Sequence, residues 1–108
     1  NRIYQSLKKV SAEWHAAIPQ WYYYWYLIMF FNDGTFIYSE TRTNNSTENQ
    51  NWFKKDNPNV THGKYTIKVP KESLTLKMND VSINASLTSE ENLLVEGKLD
   101  WDMFTLTS

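Results

Sequence analysis

The chain predicts a mainly-β fold: an antiparallel meander of about seven strands closing into a small barrel, with one N-terminal helix packed outside. Three observations carry that expectation. An unbroken apolar and aromatic run, WYYYWYLIMFF, covers residues 21–31; the dipeptide Asp33-Gly34 follows it; and nearly every segment after residue 60 alternates with period two. With 108 residues, the length suits a single domain spanning 1–108.

Residues 2–17, RIYQSLKKVSAEWHAA, place Ile3, Leu7, Val10 and Trp14 at spacings of four, three and four. That spacing predicts an amphipathic helix with Lys8, Lys9 and Glu13 off its apolar stripe, ended by Pro19. From Gln20 onward the aromatic and β-branched residues favour strand. A two-residue turn at Asp33-Gly34 pairs Phe31 with Phe36 and Met29 with Tyr38. Phe36 and Tyr38 are the apolar pair of the following strand, TFIYSETR, so Trp25, Leu27, Met29 and Phe31 are expected to share their inward face. Tyr24, Tyr26, Ile28 and Phe30 then meet the helix, which covers the second face of the run.

Residues 42–59 form a long polar connection. Within it NSTENQNWFKK suits a short helix capped by Asn45 or Ser46. Trp52 and Phe53 are expected to fold down and plug one end of the core, or else to form a lid over a pocket. GKYTIKV then directs Tyr65, Ile67 and Val69 to one face, and Pro70 ends that strand. LTLKM, VSINASL, LLVEGKL and MFTLT complete the meander.

The stretch YWYLIMFFNDGTFIYS, followed after a long connection by GKYTI, resembles the small lipocalin-like (calycin) domains. These open on an aromatic strand ending in a Phe-x-x-Asp-Gly-Thr hairpin and resume at Gly-x-Tyr. The resemblance covers residues 21–38 and 63–67. The Gly-x-Trp that precedes the first strand of lipocalins proper is absent, since AEW and PQW stand at 12–14 and 19–21. A full lipocalin barrel also has eight strands. What the resemblance implies is a meandering barrel and an interior that can hold a small apolar molecule. Trp25, Leu27, Met29, Phe36, Tyr38, Trp52, Phe53, Tyr65 and Ile67 are the expected ligand-binding residues.

Composition narrows the other classes. With a formal net charge of −1 and scattered lysines, the chain offers no basic stripe to a phosphate backbone, and no nucleic-acid partner is expected. It has no cysteine, which excludes disulfides, thiolate metal sites and cysteine nucleophiles. The apolar run is shorter than the ~20 residues of a membrane-spanning helix. Later strands carry Lys and Glu on their outer faces, so a soluble protein is expected. Asn1 in place of methionine is expected of a trimmed or processed chain, and the compartment stays open, cytoplasmic or exported.

His15 and His62 are far apart in sequence, and neither has metal-ligand spacing around it. Asp100 and Asp102 would share a strand face with Glu96 and Lys98 and read as a solvated edge. Phosphate-loop and nucleophile-elbow motifs are absent. The expectation is a non-enzymatic binding protein with no cofactor. The sequons at Asn44, Asn45, Asn59 and Asn84 are no more than this Asn-, Ser- and Thr-rich composition produces by chance. The alternative to a small hydrophobic ligand is a protein partner, of the inhibitor or immunity type. The clustered rings of Trp21, Tyr22, Tyr23, Tyr24, Trp25 and Tyr26 supply the anchors such an interface uses, or could stack a sugar.

Overall fold

The computed structural model describes residues 2–68, 73–88, 91–97 and 101–107. Strands β1 (Ile3–Ser6), β2 (Lys9–His15), β3 (Ile18–Phe30) and β4 (Thr35–Thr41) precede a single helix, α1 (Ser46–Trp52). Strands β5 (Thr61–Ile67), β6 (Ser73–Met78), β7 (Val81–Leu87), β8 (Leu93–Glu96) and β9 (Trp101–Leu106) follow. Every pairing is antiparallel. β3 to β9 form a meander, and β1 closes it by pairing with both β9 and β3. The result is an eight-stranded barrel with β2 outside it. The seven strands expected after residue 20 are present. Val69 and the expected Pro70 stop, with Lys98 and Asp100 of the expected solvated edge, lie outside the described residues.

Residues 2–17 are not a helix. They form β1 and β2, each hydrogen-bonded to a different half of β3: Ile3, Tyr4 and Gln5 face Met29, Ile28 and Leu27, while Lys9 to His15 face Tyr24 to Ile18. Between Gln5 and Lys9 the first strand advances four residues while β3 advances three, as in a β-bulge. Ser6 sits at this crossing, its hydroxyl accepting from Tyr26 N–H at 2.8 Å and donating to the Leu7 carbonyl at 3.0 Å. The extra residue shifts the alternation by one. Odd positions point outward in β1 and even positions in β2, so Ile3, Val10 and Trp14 share a surface at spacings that imitate a helix.

The inward face of β3 is also the reverse of the expected one. Phe30 pairs with Phe36 and Ile28 with Tyr38. The reason is the turn. Phe31 N–H donates to the Thr35 carbonyl at 2.8 Å, Gly34 N–H donates to the Phe31 carbonyl at 3.2 Å, and Gly34 takes φ +85° while Asp33 is not left-handed. This is a three-residue loop, Asn32-Asp33-Gly34, with the glycine in a bulge, in place of a two-residue turn. One residue of slip exchanges the faces of the whole strand.

Two apolar clusters result. Ile28, Phe36, Leu74, Leu76, Ala85, Leu93 and Phe104 fill the barrel. Leu27, Met29 and Ile37 face outward and pack with Ile3, Phe31, Val60, Phe53 and the half-buried Trp52. The second face of the aromatic run is therefore covered over Leu27–Met29 by α1 and its C-terminal Phe53. Asn45 caps α1 by accepting from Glu48 N–H at 3.1 Å. Buried Asn49 fastens the helix to the barrel wall, its side-chain oxygen accepting from Thr41 Oγ1 at 2.8 Å and its amide donating to the Thr43 carbonyl at 3.1 Å.

Candidate interaction surface

The N-terminal half of β3 leaves the barrel and pairs with β2 alone, making a two-stranded arm of seven residue pairs, from Lys9–Tyr24 to His15–Ile18. At ~3.3 Å per residue the arm is about 20 Å long, and it accounts for the molecule's 50 × 32 × 30 Å extents. Its tip is the two-residue turn Ala16-Ala17, with φ of 50° and 70°. Positive φ at both central residues marks the turn whose backbone twist matches a hairpin, a position normally taken by Asn-Gly.

The two faces of the arm differ. On one, continuous with the barrel interior, Tyr22, Tyr24 and Tyr26 follow one another at 6.0 and 5.6 Å between ring centroids, and Tyr26 stacks on Tyr38 at 5.4 Å. The Arg42 guanidinium lies 3.8 Å over the Tyr22 ring and pairs with Glu13. The hydrogen bond from Arg42, with the charge behind it, holds the Glu13 carboxyl below its ordinary range. At the base, Lys9 bonds Asp102 at 3.2 Å and lies 5.8 Å from the Tyr26 ring, closing this end of the barrel with an ion pair. Burial raises the Tyr26 and Tyr38 hydroxyls above the ordinary phenol value.

The opposite face carries Val10, Ala12 and Trp14 on β2 beside Tyr23, Trp21 and Pro19 on β3. Trp14 is 69% exposed, Trp21 67%, Tyr23 56% and Val10 57%. Lys8 lies 4.4 Å over the Tyr23 ring at the base of this face. An uncovered, contiguous apolar face of this kind marks an interaction surface, whereas scattered exposed hydrophobics do not. Trp21 and Tyr23 lie within the aromatic run singled out from sequence. The helix-like spacing of Val10 and Trp14 masks them in the sequence as partners of that run. The alternation of Val10, Ala12 and Trp14 against Lys9, Ser11, Glu13 and His15 was the signal that could have found them.

The expected ligand-binding residues do not converge on one site. Trp25, Leu27, Met29, Trp52 and Phe53 belong to the outer surface and the layer under α1, while Phe36, Tyr38, Tyr65 and Ile67 belong to the interior face. Phe36 and Leu27 are fully buried in packed clusters. A cleft of about 420 Å³ opens at the barrel end away from the arm, between Tyr4, Phe30, Tyr65, Ile67, Leu74 and Leu87, with Arg2 at its rim. Another, of about 390 Å³, lies between α1 and the wall, with Met29 and Phe53 in its lining. His15 stands on the arm 3.8 Å from Glu13, and His62 Nε2 lies 2.7 Å from the Lys55 carbonyl. Among the described residues no three His, Asp or Glu side chains cluster, and no helix is long and apolar enough to cross a membrane. Comparison with protein-family models, with curated proteins and with solved structures finds no match.

Proposed function

We propose that this is a non-enzymatic protein-interaction module whose working surface is the apolar face of the β2–β3 arm. The observation that carries the reading is the contrast between that face and the barrel. Trp14, Trp21 and Tyr23 stand more than half exposed, while Ile28, Phe36, Leu76, Leu93 and Phe104, each at most 2% exposed, occupy the interior. Eight-stranded barrels are just wide enough to be filled by their own side chains, and here bulky residues fill the middle. Tryptophan and tyrosine are the residues that dominate binding hot spots.

The test compares proteins captured from a cell extract by the wild-type chain and by the double variant Trp14→Thr/Trp21→Thr. Threonine keeps the strand preference and removes the anchors. A partner retained by the wild type and lost by the variant, then re-bound as a purified protein, supports the reading. Indistinguishable capture by the two chains, together with no self-association that the double variant weakens, overturns it.

A second reading has its own observation in the 420 Å³ cleft, whose size is that of small-molecule pockets and whose lining combines the apolar Phe30, Ile67, Leu74 and Leu87 with Tyr4, Tyr65, Asn32 and Arg2. In this reading the chain is a lipocalin-like carrier that holds a small hydrophobic ligand at the barrel mouth. Quenching of tryptophan fluorescence by fatty acids or retinoids, abolished by Leu74→Arg, would favour it over the arm.

A further inference from the structure

We infer that the apolar face of the arm is covered by a second copy of this chain, giving a two-fold dimer of crossed arms. This rests on the interaction reading above and names its partner. A two-stranded hairpin is marginal in water unless a third strand or a packed layer covers its apolar face. The Tyr22 face has its cover in Arg42, whereas the opposite face has only Lys8 over Tyr23 at its base and leaves Val10, Trp14 and Trp21 more than half exposed.

The area suffices. At 67–69% exposure for the two tryptophans and 56% for Tyr23, and about 200–250 Å² for each fully exposed side chain, these three residues offer on the order of 450 Å². Val10, Pro19 and the Lys8 stem bring one face to roughly 600 Å² and a symmetric contact to roughly 1,200 Å², above the ~1,000 Å² that separates specific from incidental interfaces.

Shape and charge select the arrangement. Sheets stack about 10 Å apart, and barrels some 30 Å across cannot sit side by side at that spacing. The arms must therefore point in opposite directions, each tip reaching toward the other copy's barrel. The symmetry axis then passes through the central Ala12–Trp21 pair, stacking Trp21 on its own copy and setting the small Ala12 against Ala12. Val10 and Tyr23 at the base of one arm meet Trp14 and Pro19 near the tip of the other. Residues 14–21 carry no Lys, Arg, Asp or Glu. The two Lys8 ammonium groups lie at opposite ends of the contact, some 20 Å apart and beyond the ~8 Å screening length. The arm's other face carries Glu13, Gln20 and His15, which disfavours tip-first insertion into lipid and suits burial of one face.

Sedimentation of the wild-type chain from about 1 to about 200 μM should show a concentration-dependent dimer. Trp14→Thr/Trp21→Thr should weaken it at least tenfold. Because the chain has no cysteine, and facing sheets ~10 Å apart are too distant for a disulfide, Ala12→Cys should be joined to its own copy by a short bismaleimide cross-linker. Ser11→Cys, on the opposite face of the same strand, should not. A wild type that is monomeric throughout, a dimer indifferent to the double variant, or equal cross-linking through both cysteines overturns the inference. If the monomeric wild type still captures a foreign protein that the double variant loses, the interaction reading stands and only the second copy is removed. Co-sedimentation of a monomer with phosphatidylcholine vesicles overturns both in favour of a lipid surface.

Discussion

Gly63 lies on the inward face of β5, opposite Phe36. A Cβ built there would fall 2.5 Å from Phe36 Cζ, 2.6 Å from Phe36 Cε1 and 2.6 Å from the Lys77 carbonyl oxygen. Carbon pairs rest at ~3.5–4.0 Å, so Gly63→Ala requires a displacement of about 1 Å. Neither obstacle can yield easily. The Phe36 ring is fully buried and packed against Phe30 at 6.0 Å between centroids, and the oxygen belongs to the backbone of β6. Overpacking of this kind costs ~1–3 kcal/mol, and two rigid neighbours place it at the upper end. Loss of unfolded-chain entropy on replacing glycine returns ~0.4–1 kcal/mol, leaving a net destabilisation of about 2 kcal/mol. For a domain of this size that lowers Tm by roughly 10 °C. Urea unfolding followed by tryptophan fluorescence should show a lower midpoint with an unchanged slope. Adding Phe36→Leu should recover about 1 kcal/mol of the Gly63→Ala loss, seen as coupling in a double-mutant cycle. Wild-type stability in Gly63→Ala, or simple additivity with Phe36→Leu, would refute the close-approach argument.

Three further outcomes are expected. Replacing Ala16-Ala17 by Asn-Gly relieves two left-handed alanines and should stabilise the arm by about 1 kcal/mol, read as roughly fivefold slower amide exchange over residues 10–21 with little change in Tm. Asn49→Ala leaves the Thr41 hydroxyl and the Thr43 carbonyl without their buried partner and should cost about 1–3 kcal/mol by chemical denaturation. Asp33, held by hydrogen bonds from Lys55 and Thr35, is pushed down to about 2. Because its folded value lies below its unfolded one, its contribution is complete above pH ~4 and is lost as pH falls toward 2. Titration of the Asp33 carboxyl by NMR should show the low midpoint, and Lys55→Met should raise it.

The meander from residue 20 onward follows from alternation and turn chemistry, and the helix cap, open in the sequence between Asn45 and Ser46, falls on Asn45. The arm was hidden by its own turn: Ala16-Ala17 contains none of the Gly, Asn or Asp that announces a hairpin. The bulge between Gln5 and Lys9 then spaced Ile3, Val10 and Trp14 as a helix would. Asp33-Gly34 did announce a hairpin, but the same dipeptide serves two- and three-residue loops, and the choice between them decides which of Met29 and Ile28 points inward. That single residue explains why a two-residue turn points Leu27 and Met29 into an interior they do not line. Trp52 and Phe53 were correctly read as folding down, yet they cover the outside of the wall and not an end of the core. Their destination depends on the register of a strand more than twenty residues earlier.

The closure of the barrel by β1 has a kinetic consequence. Its bonds to β9, Tyr4 with Leu106 and Ser6 with Phe104, join residues about a hundred positions apart, whereas β3 through β9 are linked to their sequence neighbours. Loop-closure entropy makes such distant pairings slow and late. The meander can assemble hairpin by hairpin, and β1 with β2 can pair with β3 as soon as β3 exists, so the edge left open is that of β1, which waits for β9. During synthesis that interval spans most of the chain. Refolding should therefore be limited by the meeting of β9 with Tyr4 to Ser6, and substitutions at that seam should slow folding more than equally destabilising ones in the β6–β7 hairpin.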